Sequence, residues 1–226
     1  AELPRSKNPD SGWIVTCNQR VVNEDYEHFL THSYGTDYRA RRIRGRIDDL
    51  EGLKATVADM SSIHGDTVSI PAIALAGAIG SLSGLEGIYS TAADLLAGWD
   101  HDLKEDSSAA GVYGASTREL NKQLAIAAYG SLAGGVTGED VDAGAEDQLR
   151  RQLKPDFIRR LRDGTLAEAP YGFDTSALVE NAFRAGIDYL VARFGDDVSK
   201  WRWGDMHKTG HIHPLVGAYP DAADQL

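Results

Sequence analysis

Residues 12–22 read GWIVTCNQRVV, and this stretch decides how the rest of the sequence is interpreted. Its first half, GWIVTC, is rich in aromatic and β-branched residues that favour a β-strand, and two prolines upstream exclude a helix there. The strand runs into three polar side chains, Asn18, Gln19 and Arg20, instead of the Gly, Pro or Asp that usually ends one. These side chains either face a ligand at the end of a strand or form an ordinary turn.

The centre of the chain is predicted to be helical. Residues 36–50 carry apolar side chains at helical spacing, and Asp66 is expected to cap the apolar run IPAIALAGAIG. Residues 201–215, WRWGDMHKTGHIHPL, lose this period and predict a strand or hairpin. Short helices follow the first one, and longer helices are expected at residues 107–129, 139–162 and 175–194.

The predicted fold is therefore mostly α with a few β-strands, arranged as strand, helical insert and strand. Residues 1–36 would supply a strand and a loop to a core sheet. Residues 37–199 would form a mainly helical region, and residues 200–226 would return to the core as a strand or hairpin.

Composition and charge exclude several classes of protein. The 226 residues are 42% hydrophobic, which is enough for a core, and the formal net charge of −11 comes without a basic stripe, so we expect no nucleic-acid partner. No apolar run approaches the roughly 20 residues of a membrane-spanning helix. The single cysteine, Cys17, excludes an internal disulfide and is interpreted as a small core residue rather than a nucleophile.

Two groups of side chains are candidates for chemistry. The Asn18 amide can donate to a developing oxyanion, and Arg39, in the first turn of an arginine-rich helix, could return towards it; the alternative is a turn followed by a basic helix face. Three histidines, His207, His211 and His213, would share one side of a straight strand and could hold zinc in a metal-dependent hydrolase. A Lys-Thr-Gly turn among them argues against that zinc site.

Several short motifs stand in order along nearly the whole chain: NPDSGWIVTCNQRVV from Asn8, DYE from Asp25, YRARRI from Tyr38, GDTVS from Gly65, LLAGWD ending at Asp100, and WRWGDMHKTGHIHPL from Trp201. In this order they resemble the penicillin acylase family of N-terminal-nucleophile amidohydrolases, whose first motif reads roughly NPxSGxIVTANNRV. Here Gln19 replaces the second Asn of the family pair, and Cys17 stands where Ala is frequent.

The resemblance implies an amide hydrolase with a four-layer αββα core, of which this chain is an internal fragment from the β-chain region. In that family the residue matching Asn18 donates its amide to the tetrahedral intermediate, and the residue matching Arg39 orients that Asn and the amine of the nucleophile. The nucleophile, an N-terminal Ser with its own α-amine as base, would come from outside this chain, so the fragment would be inactive alone. The implied partners are an N-acyl substrate, such as a β-lactam or an acyl-homoserine lactone, and the remaining α- and β-chain segments.

The resemblance implies no cofactor in this chain and a periplasmic or extracellular location. Some members bind calcium partly through an Asp soon after the DYP turn, but the corresponding residues here are Glu27, His28 and Phe29, so we expect no calcium ligand among them. The rival hypothesis from another class is a stand-alone helical binding or interaction module without catalysis.

Overall fold

The computed structural model describes residues 3–31, 34–50, 52, 54–130 and 149–208. These parts of the chain contain eight α-helices, so the prediction of a mostly α fold is confirmed. The helices are α1 (Tyr38–Asp48), α2 (Val57–His64), α3 (Ile70–Gly80), α4 (Ile88–Ala97), α5 (Ser108–Tyr129), α6 (Lys154–Asp163), α7 (Leu178–Phe194) and α8 (Trp203–Met206). A π-helical segment, Leu149–Leu153, leads directly into α6, and 3₁₀ turns lie at Leu166–Glu168 and Val198–Lys200. Part of the helix predicted at residues 139–162 lies outside the described residues.

Local sequence signals determine where several helices begin. Thr56 and Asp59 form a capping box at the start of α2: Thr56 Oγ1 accepts from the Asp59 N–H at 3.2 Å, and Asp59 Oδ2 accepts from the Thr56 N–H at 2.8 Å. Ser107 caps α5, because its Oγ accepts from a backbone N–H in the first turn. The prediction that Asp66 caps α3 is wrong: the N-cap position is Ser69, and two arginines of α1 hold the Asp66 carboxylate instead.

The helices α5 and α7 pack against each other at the centre of the core. Their backbones approach closely at Gly186 of α7, where a Cβ atom would lie 2.8 Å from the Ser116 nitrogen of α5. Large apolar side chains pack in the rest of the interface between α5 and α7, and α3, α4 and α6 contribute further apolar side chains around it. The fully buried members of the cluster include Leu75, Ile79, Leu120, Leu124, Phe157, Phe183, Ile187 and Leu190.

The last described residues pack on α5 through two tryptophans. Trp201 is fully buried, and its indole Nε1 donates to the Gly195 carbonyl oxygen at 2.9 Å. A Cβ atom on Gly111 would lie only 1.8 Å from the Trp201 carbonyl oxygen, and a Cβ atom on Gly114 would lie 2.3 Å from the Trp203 ring. The strand predicted here is wrong for Trp203–Met206, which form α8, and residues 209–226 lie outside the described residues.

The strand predicted at GWIVTC does not form. Residues 12–17 lie in irregular structure, and in the part of the chain that the structure describes the β-bridge recorded is an isolated one between Val68 and Asp102. High β-propensity expresses how well a side chain suits a sheet surface, and a strand also needs a neighbouring strand to accept and donate its backbone hydrogen bonds. Whether residues 1–36, 37–199 and 200–226 form separate units of an αββα parent stays a prediction.

Among the helices of the described residues, none is both long enough and apolar enough to cross a membrane.

Candidate functional site

A tight turn at residues 15–19 takes the place of the predicted strand end. Gln19 is 5% exposed, and its side chain folds back on its own backbone: Oε1 accepts from the Cys17 N–H at 2.6 Å, and Nε2 donates to the Val15 carbonyl oxygen at 3.2 Å. A buried amide with both ends paired satisfies backbone groups that would otherwise need a neighbouring strand. Gln19 therefore closes the turn that carries Asn18.

The turn places Asn18 at the surface in an uncommon backbone conformation. Its φ is 63°, in the left-handed region that Asn tolerates better than most residues. The Asn18 carbonyl oxygen accepts from the Gly35 N–H at 2.6 Å, and a Cβ atom on Gly35 would lie 3.2 Å from that same oxygen. The two segments approach this closely because residue 35 has no side chain.

Arg39 reaches back from the first turn of α1 to this turn. Its Nη2 donates to the Cys17 carbonyl oxygen at 2.9 Å and to Asn18 Oδ1 at 2.8 Å. A guanidinium group can only donate, so the atom that it contacts on Asn18 must be the amide oxygen, and Nδ2 points to the other side. Among the residues that the structure describes, no group accepts a hydrogen bond from Asn18 Nδ2.

This arrangement can stabilise negative charge on a bound atom. Asn18 is exposed and presents two amide N–H donors, while the hydrogen bond from Arg39 to Oδ1 fixes the orientation of the amide. Donors that are already oriented need no reorganisation when charge develops on a nearby oxygen, which is the property of an oxyanion site. Arg39 also supplies a positive charge close to the same amide.

The other arginines of α1 attach the helix to its surroundings. Arg42 donates to both carboxylate oxygens of Asp66, through Nε at 2.8 Å and Nη2 at 2.7 Å, and Arg46 Nη1 donates to Asp66 Oδ2 at 2.5 Å. The two hydrogen bonds from Arg42, with the one from Arg46, lower the pKa of Asp66 to about 2, although burial of the carboxyl acts in the opposite direction. Arg44 lies over the Trp13 ring, 5.8 Å from its centre.

A groove of about 600 Å³ lies beside Arg39, between α1 and the start of α3. Its walls are mainly apolar, and Asp66 lies among its polar lining. The apolar lining includes Ile43, Ile63, Val68, Ile70, Pro71 and Leu103.

The sequence alone does not indicate Gly35 and Asp66 as residues of this site. Gln19 is one of the three polar side chains that follow GWIVTC, but no local pattern predicts that it is buried. A signal did exist for Asp66, because arginines at positions 42 and 46 lie one helical turn apart and can share a carboxylate.

The candidate zinc ligands are not brought together in the described residues. His207 is exposed and its ring stacks on Trp203, with centres 4.6 Å apart, whereas His211 and His213 lie outside the described residues. No group of three or more His, Cys, Asp or Glu side chains suited to a metal occurs within the described ranges. Cys17 is buried, 8% exposed, as expected of a small core residue.

Comparison with known proteins matches nearly the whole chain to one family. The model of the penicillin amidase family matches residues 1–224. The chain is 26% identical to the penicillin acylase 2 proenzyme of Pseudomonas sp. strain SE83 over 220 residues, which cover 96% of this chain and 27% of that protein. It is 25% identical to the acyl-homoserine lactone acylase QuiP of Pseudomonas aeruginosa PAO1 over 236 residues, covering 95% of this chain and 28% of that protein.

A QuiP acylase of Pseudomonas fluorescens Pf-5 is 25% identical over 218 residues, covering 90% of this chain and 27% of that protein. The chain thus spans about a quarter of the length of these relatives. The matched residues include the turn at Asn18, α1 and the loop that carries Asp66. The chain belongs to the penicillin amidase family.

Proposed function

We propose that this chain is part of an amide hydrolase, an acylase that cleaves an N-acyl bond with an N-terminal Ser nucleophile supplied outside residues 1–226. Membership of the penicillin amidase family supports the reaction class, and relatives over the same residues carry the names penicillin acylase and acyl-homoserine lactone acylase. The observation that carries the proposal is the hydrogen bond from Arg39 to Asn18 Oδ1, which turns the amide donors outwards.

In the proposed reaction Asn18 is the oxyanion donor. Attack of the Ser oxygen on the substrate carbonyl carbon moves a pair of electrons onto the carbonyl oxygen, and an Asn18 Nδ2–H donates to that oxygen as it becomes negative. One donor of this kind is worth about 2.7–4 kcal/mol of transition-state stabilisation in a well-studied oxyanion hole. The proton of the Ser would pass to its own α-amine, whose ordinary pKa of about 7.7–8.0 suits a base near neutral pH.

Arg39 is proposed to hold Asn18 in the productive orientation. Its Nη2 bridges the Cys17 carbonyl oxygen and Asn18 Oδ1, so it fixes both the backbone and the side chain of the turn. The rigid, planar guanidinium keeps this geometry better than the flexible ammonium of Lys could.

The substrate of the complete enzyme is proposed to be an N-acyl compound such as a β-lactam or an acyl-homoserine lactone. This class follows from the names of the relatives, whose chains are about four times as long as this one. The remaining α- and β-chain segments are the proposed partners, since they would complete the acyl pocket and supply the nucleophile.

The test uses the full-length mature enzyme and compares Asn18→Asp with Asn8→Asp. Asn18→Asp keeps the shape and the tolerance for positive φ but replaces the amide donor with an acceptor oxygen. Asn8 is also an exposed Asn at positive φ, 48°, so Asn8→Asp makes the same chemical change away from the site. We expect Asn18→Asp to lower kcat by about 10²–10³-fold and Asn8→Asp to leave kcat within about twofold.

If Asn18→Asp and Arg39→Ala enzymes both fold, mature and turn over substrate at near-normal rates, this site is not catalytic. That outcome would remove the proposed roles of Asn18 and Arg39 in the reaction.

A further inference from the structure

We propose that Asp66 is a positioning residue for this site: by fixing α1 to the loop before α3, it holds Arg39 where it can orient the Asn18 amide. The inference rests on the proposed function, because it assigns Asp66 a role in the same reaction. The motif GDTVS includes Asp66, but neither the family match nor the names of the relatives assigns this residue a role.

The Asp66 carboxylate is the point at which α1 is tied down. Its side chain is 6% exposed and accepts three hydrogen bonds from α1, two from Arg42 and one from Arg46. Arg46 also donates to Ser62 Oγ at 2.7 Å, and the Val68 N–H donates to Asp66 Oδ1 at 3.2 Å. The carboxylate thus joins α1 to the α2–α3 loop, and Arg46 joins α1 to α2 beside it.

Apolar packing alone holds α1 weakly. Ala40 is the one buried residue of this helix, all of which lies in the described part of the chain. Arg39, Arg42 and Arg46 follow one another at spacings of three and four residues, so they lie on one face of the helix. Arg39 therefore contacts Asn18 from the same face of α1 on which Arg42 and Arg46, one and two turns further on, bind Asp66.

The loop of Asp66 is itself fastened to the helical core. The Leu103 N–H donates to the Thr67 carbonyl oxygen at 3.2 Å, and the Ser69 N–H donates to the His101 carbonyl oxygen at 2.9 Å. These contacts join the loop to the segment that immediately precedes α5. A continuous set of hydrogen bonds thus runs from the core through Asp66 and α1 to Asn18.

Removing the charge of Asp66 should loosen this connection without touching the reacting atoms. Asp66→Asn keeps the shape of the side chain but leaves Arg42 and Arg46 facing an amide that can accept through only one atom. In the full-length mature enzyme we expect kcat to fall about 10- to 100-fold, since a displacement of about 1 Å in a site can cost about 10²-fold. KM should stay within about threefold, because the substrate contacts themselves are unchanged.

The matched control is Asp156→Asn. Asp156 of α6 is also a partly buried carboxylate held by two arginines, Arg159 and Arg160, and by the Tyr171 hydroxyl at 2.8 Å. None of these partners lies on α1. We expect both Asp66→Asn and Asp156→Asn to lower the unfolding midpoint. Asp156→Asn should nevertheless leave kcat within about twofold of the wild-type value.

A double-mutant cycle then tests whether Asp66 acts through Arg39. If it does, Asp66→Asn adds less than about twofold to the loss caused by Arg39→Ala, because the residue that it positions is already gone. Losses that multiply would show an independent structural effect and overturn the inference. If Asp66→Asn yields no mature enzyme, Arg46→Gln takes its place in the cycle, with an expected loss of about 3- to 10-fold.

The two proposals fail in different ways. Normal kcat in both Asn18→Asp and Arg39→Ala would remove the proposed roles of Asn18 and Arg39, and with them the reason for a role of Asp66. Large losses in those variants together with normal kcat in Asp66→Asn would remove only the role of Asp66.

Discussion

Different interactions stabilise two regions of the molecule: the helical body, residues 70–130 and 149–208, and the N-terminal segment, residues 3–31 and 34–37. Fully buried apolar side chains, among them Phe157, Phe183 and Trp201, form the core of the helical body. The N-terminal segment is shaped mainly by polar contacts between side chains and backbone, such as those of Gln19, and leaves large apolar side chains such as Ile14 exposed. The difference indicates that stability lies in the body and the proposed chemistry in the segment.

The largest expected effect tests the helical body. Gly111→Ala should cost about 3 kcal/mol or more of unfolding free energy, because the new Cβ atom would lie 1.8 Å from the Trp201 carbonyl oxygen and backbone must move. Gly77→Ala is the control, since no atom lies within 4 Å of its Cβ position on the exposed side of α3. It should stabilise by about 0.4–1 kcal/mol. Denaturant unfolding followed by tryptophan fluorescence measures both, and equal effects would disprove the close contact between α5 and Trp201.

The second prediction concerns the connection between the two regions. The pKa of Asp66 is lowered to about 2 in the folded protein, so its stabilising effect is complete above about pH 4 and is lost as the pH falls towards 2. The difference in unfolding free energy between wild type and Asp66→Asn should therefore narrow by about 2 kcal/mol from pH 5 to pH 2. Denaturant unfolding at a series of pH values measures this difference. A difference that stays constant over this range would mean that folding does not perturb the Asp66 carboxyl.

The smallest expected effect tests the N-terminal segment. Gln19→Met keeps the volume of the side chain but removes both hydrogen bonds that close the turn. We expect kcat of the full-length enzyme to fall about tenfold, which corresponds to about 1.4 kcal/mol, because Asn18 is less firmly oriented. Gln123→Met in α5 is the control and should leave kcat unchanged. Equal kcat in the two variants would mean that the hydrogen bonds of Gln19 do not affect the activity.

The sequence predicted the helices well because their signals are local. Apolar spacing indicated α1, and the caps at Thr56 and Ser107 mark the observed starts of α2 and α5. The strands failed for the opposite reason. A strand needs a partner that local sequence does not specify, and Trp203 packs on Gly114 of α5, a contact between distant parts of the chain.

The candidate site was partly predictable. Asn18 and Arg39 are candidates from their places after GWIVTC and in the first turn of α1, and the family resemblance adds their roles. The structure brings them within hydrogen-bond distance, while their catalytic roles stay predictions. The spacing of Arg42 and Arg46 indicates that the two can share a carboxylate, but it does not say which one. The burial of Gln19 and the choice of Asp66, 24 and 20 residues after these arginines, depend on how the loops meet.

The most direct test of the account compares two losses caused by Asn18→Ala in the full-length mature enzyme. One is the loss in kcat/KM, and the other is the loss in affinity for a boronic acid inhibitor that forms a tetrahedral adduct with the catalytic Ser. The account predicts that kcat/KM and the adduct affinity both fall by about 10²–10³-fold while substrate binding hardly changes. Adduct affinity that stays within about threefold of wild type would contradict it, because Asn18 would then not face the oxyanion.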